Sequence, residues 1–516
     1  MVENTMDKPS NRTSIPRGWL RGLLGLMLVG LPLAGCAVGP DFRKPDAPAV
    51  KTYTTTALPV ETATSPVAGG EAQRFVMQKE ITDQWWTLFQ SRALDDLISQ
   101  AFAQNPSLAA AQASLKQAEE NRRAAFGTLL PAVDASAAAS RQQVTGASSG
   151  QAGVKIDPFN LYNASVAVSY TLDIFGGSRR ELEALQSQVD YQRFLLEGTY
   201  LSLSANIVTT VVHEAGVREQ IRATREILAL QQRQLDTVER QLQLGAVSLA
   251  DVLAQRSQLA QTQAVLPPLE KDLTQTRHQL AILTGRLPSE ANLPEFDLAS
   301  LSLPGELPVS LPSDLVRQRP DIRAAEALLH AASAQVGVAT ANLYPRITLS
   351  AAYGSEANKT GDLFSGPAAL WSLGGQLLQP VFHGGSLKAQ RRAAIAAYDQ
   401  AGAQYRATVL QAFGNVADTL RALEADAQAL AAQALSADAA GQSLAMSDKQ
   451  FQDGAVSYLT LLNAQRQYQE TRISLAQAQA QRYADTAALF QALGGGWWNR
   501  ENEADHNANH AKEYVP

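Results

Sequence analysis

Tyr162-Asn163-Ala164-Ser165-Val166-Ala167-Val168-Ser169-Tyr170-Thr171-Leu172 is the stretch on which the fold turns. In a strand of period two, Tyr162, Ala164, Val166, Val168, Tyr170 and Leu172 share one face, and Asn163, Ser165, Ala167, Ser169 and Thr171 share the other. The first face is apolar with a tyrosine near each end; the second is small and polar. A soluble sheet could carry this pattern on one strand. A strand between lipid and a watery lumen requires it, with aromatic residues at the interfaces. Weaker versions occur at Val133, Ala135, Ala137, Ala139; at Ile347, Leu349, Ala351, Tyr353; and at Trp371, Leu373, Gly375, Leu377. Four such strands, with no soluble domain to join, favour a transmembrane β-barrel. Four strands cannot close one alone, because open edges strand unpaired backbone groups in hydrocarbon. Known single-chain barrels start near ~8 strands, so several copies must each add a sheet. The pattern itself allows two, three or four.

Outward from the strands, the chain reads as two copies of one unit. Asn105-Pro106 falls over Arg319-Pro320, and at that same offset Leu108 meets Ile322, Leu115 meets Leu329, Pro131 meets Pro345 and Val133 meets Ile347. Gly176-Gly177-Ser178 then matches Gly384-Gly385-Ser386, Gly245-Ala246-Val247-Ser248 matches Gly454-Ala455-Val456-Ser457, and Leu283-Thr284-Gly285 matches Leu493-Gly494-Gly495. Each unit opens with a helix, near 93–127 and 313–341. A proline (Pro131, Pro345) stops it and starts a strand. Two strands follow, then a very long helix, the Gly-Ala-Val-Ser turn, and a returning helix near 249–283 and 458–493. The division expected is a signal peptide at 1–35, a lipidated N-terminus and extended tether at 36–92, repeat 1 at 93–290, a linker at 291–314, repeat 2 at 315–496 and a polar tail at 497–516.

The long helices show a heptad seam. Val409, Phe413, Val416, Leu420, Leu423, Ala427, Leu430 and Ala434 alternate steps of four and three. In the first copy Leu182, Val189, Leu196 and Leu203, then Ile221, Leu228, Leu235 and Leu242, recur every seventh residue. The longer gap between Leu203 and Ile221 implies a local change of supercoil. A helix from Ser178 to Leu244 would extend roughly 100 Å and needs neighbours along its length. The composition suits this. Of 516 residues, 45% are hydrophobic but only 6% aromatic, which favours close-packed, alanine-rich helices over several bulky cores. A net charge of −6 gives no footprint for nucleic acid.

The single cysteine excludes an intramolecular disulfide framework and a Cys-rich zinc site. It sits at the end of an export signal. Arg12, Arg17 and Arg21 precede an apolar stretch from Gly22 to Leu33 that is too short to span a bilayer; Met6 offers a second start. No later segment reads as a transmembrane helix. The signal ends Leu33-Ala34-Gly35-Cys36, which resembles a bacterial lipobox with Cys36 as the acylated residue. By resemblance to lipoprotein sorting, Ala37 in place of Asp implies the outer membrane. Val38 to Gln78 lacks helical period and reads as an extended tether, and the chain after Gly494 as a mobile tail.

Enzyme signatures are lacking: no P-loop, no G-x-G-x-x-G opening a βαβ unit and no H-E-x-x-H. Glu119-Glu120 point apart on a helix, and His506 and His510 share the polar tail. No catalytic residue, cofactor site or metal site is expected.

The order helix, two strands, long helix, Gly-turn, helix, repeated once, resembles the TolC-like outer membrane efflux proteins. Cys36-Ala37-Val38-Gly39-Pro40-Asp41-Phe42, Trp85-Trp86-Thr87-Leu88-Phe89, Asp173-Ile174-Phe175-Gly176 and Gly494-Gly495-Gly496-Trp497 resemble the lipoprotein branch, the NodT- and OprM-like factors of RND efflux systems. The resemblance implies an α+β membrane protein. It would be a homotrimer closing a twelve-stranded outer-membrane barrel over a periplasmic helical tunnel. Its partners would be a periplasmic adaptor and an inner-membrane RND transporter, and its cargo small molecules or drugs. A protein-secretion exit duct of the same architecture is the nearest alternative; a periplasmic coiled-coil scaffold is a more distant one, disfavoured by the alternation at Tyr162–Leu172. The resemblance also implies that Gly245, Ala246, Val247 and Ser248, with Gly454, Ala455, Val456 and Ser457, form adaptor-docking tips, the exposed Val and Ser making contact. It places a periplasmic gate at Leu459, Asn463 and Arg466, where relatives carry Asp at the position of Asn463. Asp251 and Asp453 are then candidates to supply the missing carboxylates.

Overall fold

The computed structural model describes residues 37–145, 153 and 157–500. The lipobox Leu33, Ala34, Gly35 and the lipidation residue Cys36 lie outside the described residues, as do the signal and residues 501–516. The chain divides into two compact units, one of residues 1–42, 122–185 and 331–398 and one of residues 43–121, 186–330 and 399–516.

The first unit holds a four-stranded antiparallel sheet of β2 (Ala132–Gln142), β3 (Phe159–Leu172), β5 (Arg346–Ala357) and β6 (Ala369–Leu378), in the order β2-β3-β5-β6. All four expected strands are present. Their register keeps each strand's apolar residues together: Val133, Val168, Ala351 and Leu373 form one row, and Ala135, Val166, Tyr353 and Trp371 the next. Directly paired residues share a face, so the apolar positions of all four strands make one surface. Thr171 pairs with Thr348 through a hydroxyl contact of 3.2 Å, and Ser136 with Ser165 at 3.0 Å, on the opposite face. Helix α2 (Pro106–Gly127) leads into β2 and α7 (Pro320–Ala341) into β5, each through a proline-containing turn. Two 67-residue helices, α3 (Gly177–Gln243) and α8 (Ser386–Gln452), begin after β3 and β6. Asp173 starts α3, accepting from the backbone N–H of Ser178 and Arg179 at 2.9 and 3.0 Å.

The second unit is mainly helical. Besides its share of α2, α3, α7 and α8 it holds α1 (Arg92–Gln104), α4 (Leu249–Gln263), α5 (Leu266–Leu283), α6 (Pro312–Gln318) and α9 (Tyr458–Ala492). The helix expected near 93–127 is two helices, broken at Asn105. The residue before Pro106 is pushed to extended geometry, and proline suits the first position of a new helix. Arg319 breaks α6 from α7 before Pro320 in the same way. The return near 249–283 is likewise divided, at Ala264–Val265 ahead of Pro267-Pro268. The seam of α8 is buried at Val409, Val416, Leu420, Leu423, Ala427, Leu430 and Ala434; Phe413 is half-buried beside Tyr53, with ring centroids 5.6 Å apart, and Ala412 takes the buried place. An 18-residue window of α3 reaches a mean hydropathy of 1.2, so one downstream helix does pass for membrane length and composition; 44% of that window is buried within the protein. Within α3 the apolar residues Ile207, Val208, Val211, Val212 and Ala215 are all buried against the rest of the protein.

The expected tether is docked. Strand β1 (Arg74–Met77) pairs in parallel with β4 (Glu306–Val309), so the inter-repeat linker supplies a strand. Gln73 Nε2 donates to the Pro304 carbonyl (2.9 Å) and Thr486 Oγ1 (3.1 Å). Arg482 of α9, fully buried, donates to the carbonyls of Glu71 (3.1 Å), Gly69 (3.4 Å) and Leu423 (3.2 Å) and to Thr62 Oγ1 (3.3 Å). A buried guanidinium needs several acceptors, and the tether supplies most of them. The chain just after Gly494 is also held: Trp497 Nε1 donates to the Gln318 carbonyl (2.6 Å) and Asn499 Nδ2 to the Ile81 carbonyl (2.7 Å). Trp85 stacks on Phe490 (5.3 Å), and a side chain at Gly495 would strike Leu201.

Candidate functional site

The sheet's two faces are its first functional feature. Tyr162, Ala164, Val166, Val168, Tyr170 and Leu172 lie on the apolar face, opposite Ala357, Ser355, Tyr353, Ala351, Leu349 and Ile347. Trp371 and Leu373 on that face are more than three-quarters exposed in the single chain. A large apolar patch of this kind needs lipid or another protein surface. The other face carries rows such as Asp134, Ala167, Ala352, Ser372 and Ala132, Ser169, Ser350, Gly374, which suit water. Strands β2 and β6 each pair on one side only, leaving two open edges.

The second feature is a pair of helix-hairpin tips. Helix α3 ends in a Schellman turn: Gly245 N–H donates to the Leu242 carbonyl (2.9 Å) and Ala246 N–H to that of Gln241 (2.9 Å). Helix α8 ends identically, with Gly454 N–H on Phe451 (3.0 Å) and Ala455 N–H on Gln450 (2.8 Å). Gly245 and Gly454 hold φ of 71° and 72° in open space, so the backbone alone demands glycine. Ser248 and Ser457 cap α4 and α9, each accepting from the third residue on. The valines are not exposed as expected: Val247 packs on the tip core of Leu235, Val238, Val252, Leu259, Tyr458, Leu461 and Leu462, and Val456 is half-buried. Each residue type in the turn except alanine therefore has a folding role. The two tips differ in what they expose. The first presents Leu244 (83% exposed), Leu249 and Leu253; at matching positions the second has Asp453, buried Tyr458 and buried Leu462.

The gate candidates separate. Leu459, Asn463 and Arg466 fall at i, i+4 and i+7 on one exposed face of α9. Asp453 is exposed at the α8 tip. Asp251 closes a capping box, accepting from Ser248 N–H at 2.9 Å and Ser248 Oγ at 2.6 Å, so its carboxylate serves the start of α4. Sequence reasoning missed the bonds tying the two hairpins. Tyr458 Oη donates to Gln255 Oε1, Arg466 Nε donates to Gln258 Oε1 (2.6 Å), and Gln255 Nε2 donates to the Gln231 carbonyl (2.8 Å). Burial pushes the Tyr458 hydroxyl pKa up, aided by Asp251, which keeps it a donor. Alternating Gln at 255 and 258 across from Tyr458 was the available signal, but polar residues on a coiled coil ordinarily read as surface.

A third cluster lies where α8 and α9 face each other. Asp485 is buried beside Asp426, and its carboxyl is pushed up to about 7 by burial first, then by the bond and charge of Asp426, against the opposing pull of Gln481 and Arg482. Among the described residues no group of three or more His, Cys, Asp or Glu is placed to hold a metal.

A family described as outer membrane efflux protein matches residues 97–286 and 311–495. The pyoverdine export outer membrane protein OpmQ of Pseudomonas aeruginosa is 34% identical over 421 residues, covering 80% of this chain and 87% of that protein. The probable efflux pump outer membrane protein TtgC of Pseudomonas putida is 29% identical over 494 residues, covering 95% and 98%. Among solved structures, the outer-membrane channel OprN superposes with a TM-score of 0.81 at 29% identity, covering 90% of this chain and all of that one.

Proposed function

This chain belongs to the outer membrane efflux protein family, and on that premise we propose that it is the exit duct of a tripartite RND-type pump exporting small molecules. The observation that carries the proposal is the register-matched sheet, mainly apolar on one face and mainly small or polar on the other, with two unpaired edges. Three copies joining β2 to β6 close a twelve-stranded barrel, the apolar face toward lipid and the polar face toward a water-filled lumen. Cys36 carries the lipid anchor. The two stretches that match the family support reading the chain as two repeats.

The hairpin tips face the periplasm and dock the adaptor. Exposed leucines at 244, 249 and 253 give the first tip an apolar contact surface, and the Gly-Ala-Val-Ser turns hold both hairpins in shape. The gate opens when the α3–α4 hairpin parts from the α8–α9 hairpin, which breaks the bonds of Gln255 and Gln258 to Tyr458 and Arg466. Contacts with the assembled pump favour the parted state; a ligand can shift this equilibrium only by its differential affinity for the two states. Energy comes from the inner-membrane transporter. The duct's small, polar lining has few groups to select among cargoes, so selection belongs to the transporter.

Light scattering on the detergent-extracted protein tests the assembly. Three copies per particle are expected. A stable monomer, with both sheet edges open, would overturn the proposal.

A further inference from the structure

One end of the sheet is chemically distinct. Strands β3 and β6 both finish there, with Leu172 and Leu377 flanking Ile347. The first described residues lie at the same end: Val38 N–H donates to the Phe175 carbonyl (3.0 Å), and Ala37 packs against Gly176. Beyond β6 come Val381 and Phe382, 91% and 87% exposed. The first turns of α8 then carry Lys388, Arg391 and Arg392, all exposed and, by their spacing, on one helix face.

These three cations have no internal explanation. Among the described residues none of their side chains makes a hydrogen bond or ion pair, no acid occupies the first turn of α8, and the next carboxylate along it is Asp399. A helix N-terminus already carries partial positive charge, so cations there are repelled by the helix itself. Three unpaired cations on one helix face attract an anion from outside the protomer. Position identifies which. The sheet's apolar face ends at Leu172, Ile347 and Leu377, exposed Phe382 and Val381 come next, and the cations follow. Apolar band, aromatic residue and basic residues in that order is the sequence of environments met on leaving a bilayer through its headgroups.

We propose that Lys388, Arg391 and Arg392, with Phe382 and Val381 beside them, form a docking surface for anionic phospholipid headgroups at the periplasmic side of the membrane. This rests on the reading of the sheet as membrane-spanning. Phe382 and Val381 lie at the acyl boundary, and the three cations meet lipid phosphates. The surface fixes the depth of the barrel in the membrane.

The test uses the full chain in vesicles of phosphatidylcholine with or without phosphatidylglycerol, with bound lipid measured by native mass spectrometry. Wild type should retain phosphatidylglycerol in preference to phosphatidylcholine, and high salt should erase the preference. Lys388→Gln, Arg391→Gln and Arg392→Gln together should lower it by roughly fivefold per cation, while Lys388→Arg with Arg391→Lys and Arg392→Lys should keep it. Wild type showing no preference, or a salt-independent one, overturns the proposal without any variant. So does a triple glutamine variant that keeps the preference but loses its oligomer, since the cations would then serve a second copy of the chain. Failure to insert into either vesicle would remove the membrane-spanning reading as well; insertion without lipid preference removes this proposal alone.

Discussion

Tyr458→Phe should bias the tips toward the open state. Tyr458 is buried, and its hydroxyl donates to Gln255 Oε1, whose other polar atom is already held by the Gln231 carbonyl. Gln255 has no solvent exposure, so water cannot replace the lost donor. A buried acceptor left unpaired costs about 1–3 kcal/mol. If parting of the hairpins exposes Gln255 to water, only the closed state bears that cost. The closed–open equilibrium then moves by roughly 5- to 150-fold. Single-channel recording of the purified protein without its partners should show a higher open probability, and cells should become more sensitive to large antibiotics that cross the outer membrane poorly. Tyr468→Phe on the same helix is the control, since its hydroxyl makes no hydrogen bond among the described residues. A Tyr458→Phe channel as closed as wild type, with equal thermal stability, would refute the idea that this bond holds the hairpins together. A channel as closed as wild type but less stable would show that the bond supports both states equally.

Further outcomes follow from the same geometry. Val168→Arg should block assembly, because on the proposed lipid-facing reading an arginine near mid-membrane costs about 2–4 kcal/mol. Its neighbour Ala167→Arg, on the polar face, should assemble normally and shift ion selectivity; detergent-resistant oligomer on a gel and a reversal potential measure the two. Gly454→Leu should retain the fold, since nothing lies within 4 Å of the added carbon, at a cost of roughly 1–2 kcal/mol for left-handed backbone. Normal oligomer with lost drug resistance would support docking at this tip, and unchanged resistance would count against it. The Asp485 carboxyl holds its proton more tightly folded than unfolded, so the folded state binds more protons between about pH 4 and the folded value of about 7. Stability should therefore fall as pH rises through that window, and Asp485→Asn should flatten the thermal-unfolding profile across it.

What the sequence disclosed was whatever repeats along one element. The alternation at Tyr162–Leu172 placed a face, and pairing to β2, β5 and β6 extended it across the sheet. The steps of four and three in 409–434 placed the buried seam of α8. What escaped was local geometry that overrides period, and contact between distant residues. Pro106 and Pro320 each begin a helix inside a stretch whose composition reads as one continuous helix, because proline forces the residue before it into extended geometry. The tether has no period to betray docking, since Arg482 holds it largely through backbone carbonyls. At the tips, serine and valine looked like contact residues because nothing in the sequence distinguishes an exposed side chain from a helix cap. Asp426 and Asp485 lie on separate helices, and only packing shows that they meet.

Planar-bilayer recording of the purified, full-length oligomer tests the central claim most directly. A water-filled duct closed by three sheets predicts discrete single-channel steps whose size depends on bulk conductivity and whose ion preference changes when Ala167, on the polar face, is replaced by arginine. A folded, correctly assembled oligomer that inserts and conducts no ions, even as the Tyr458→Phe variant, would contradict it.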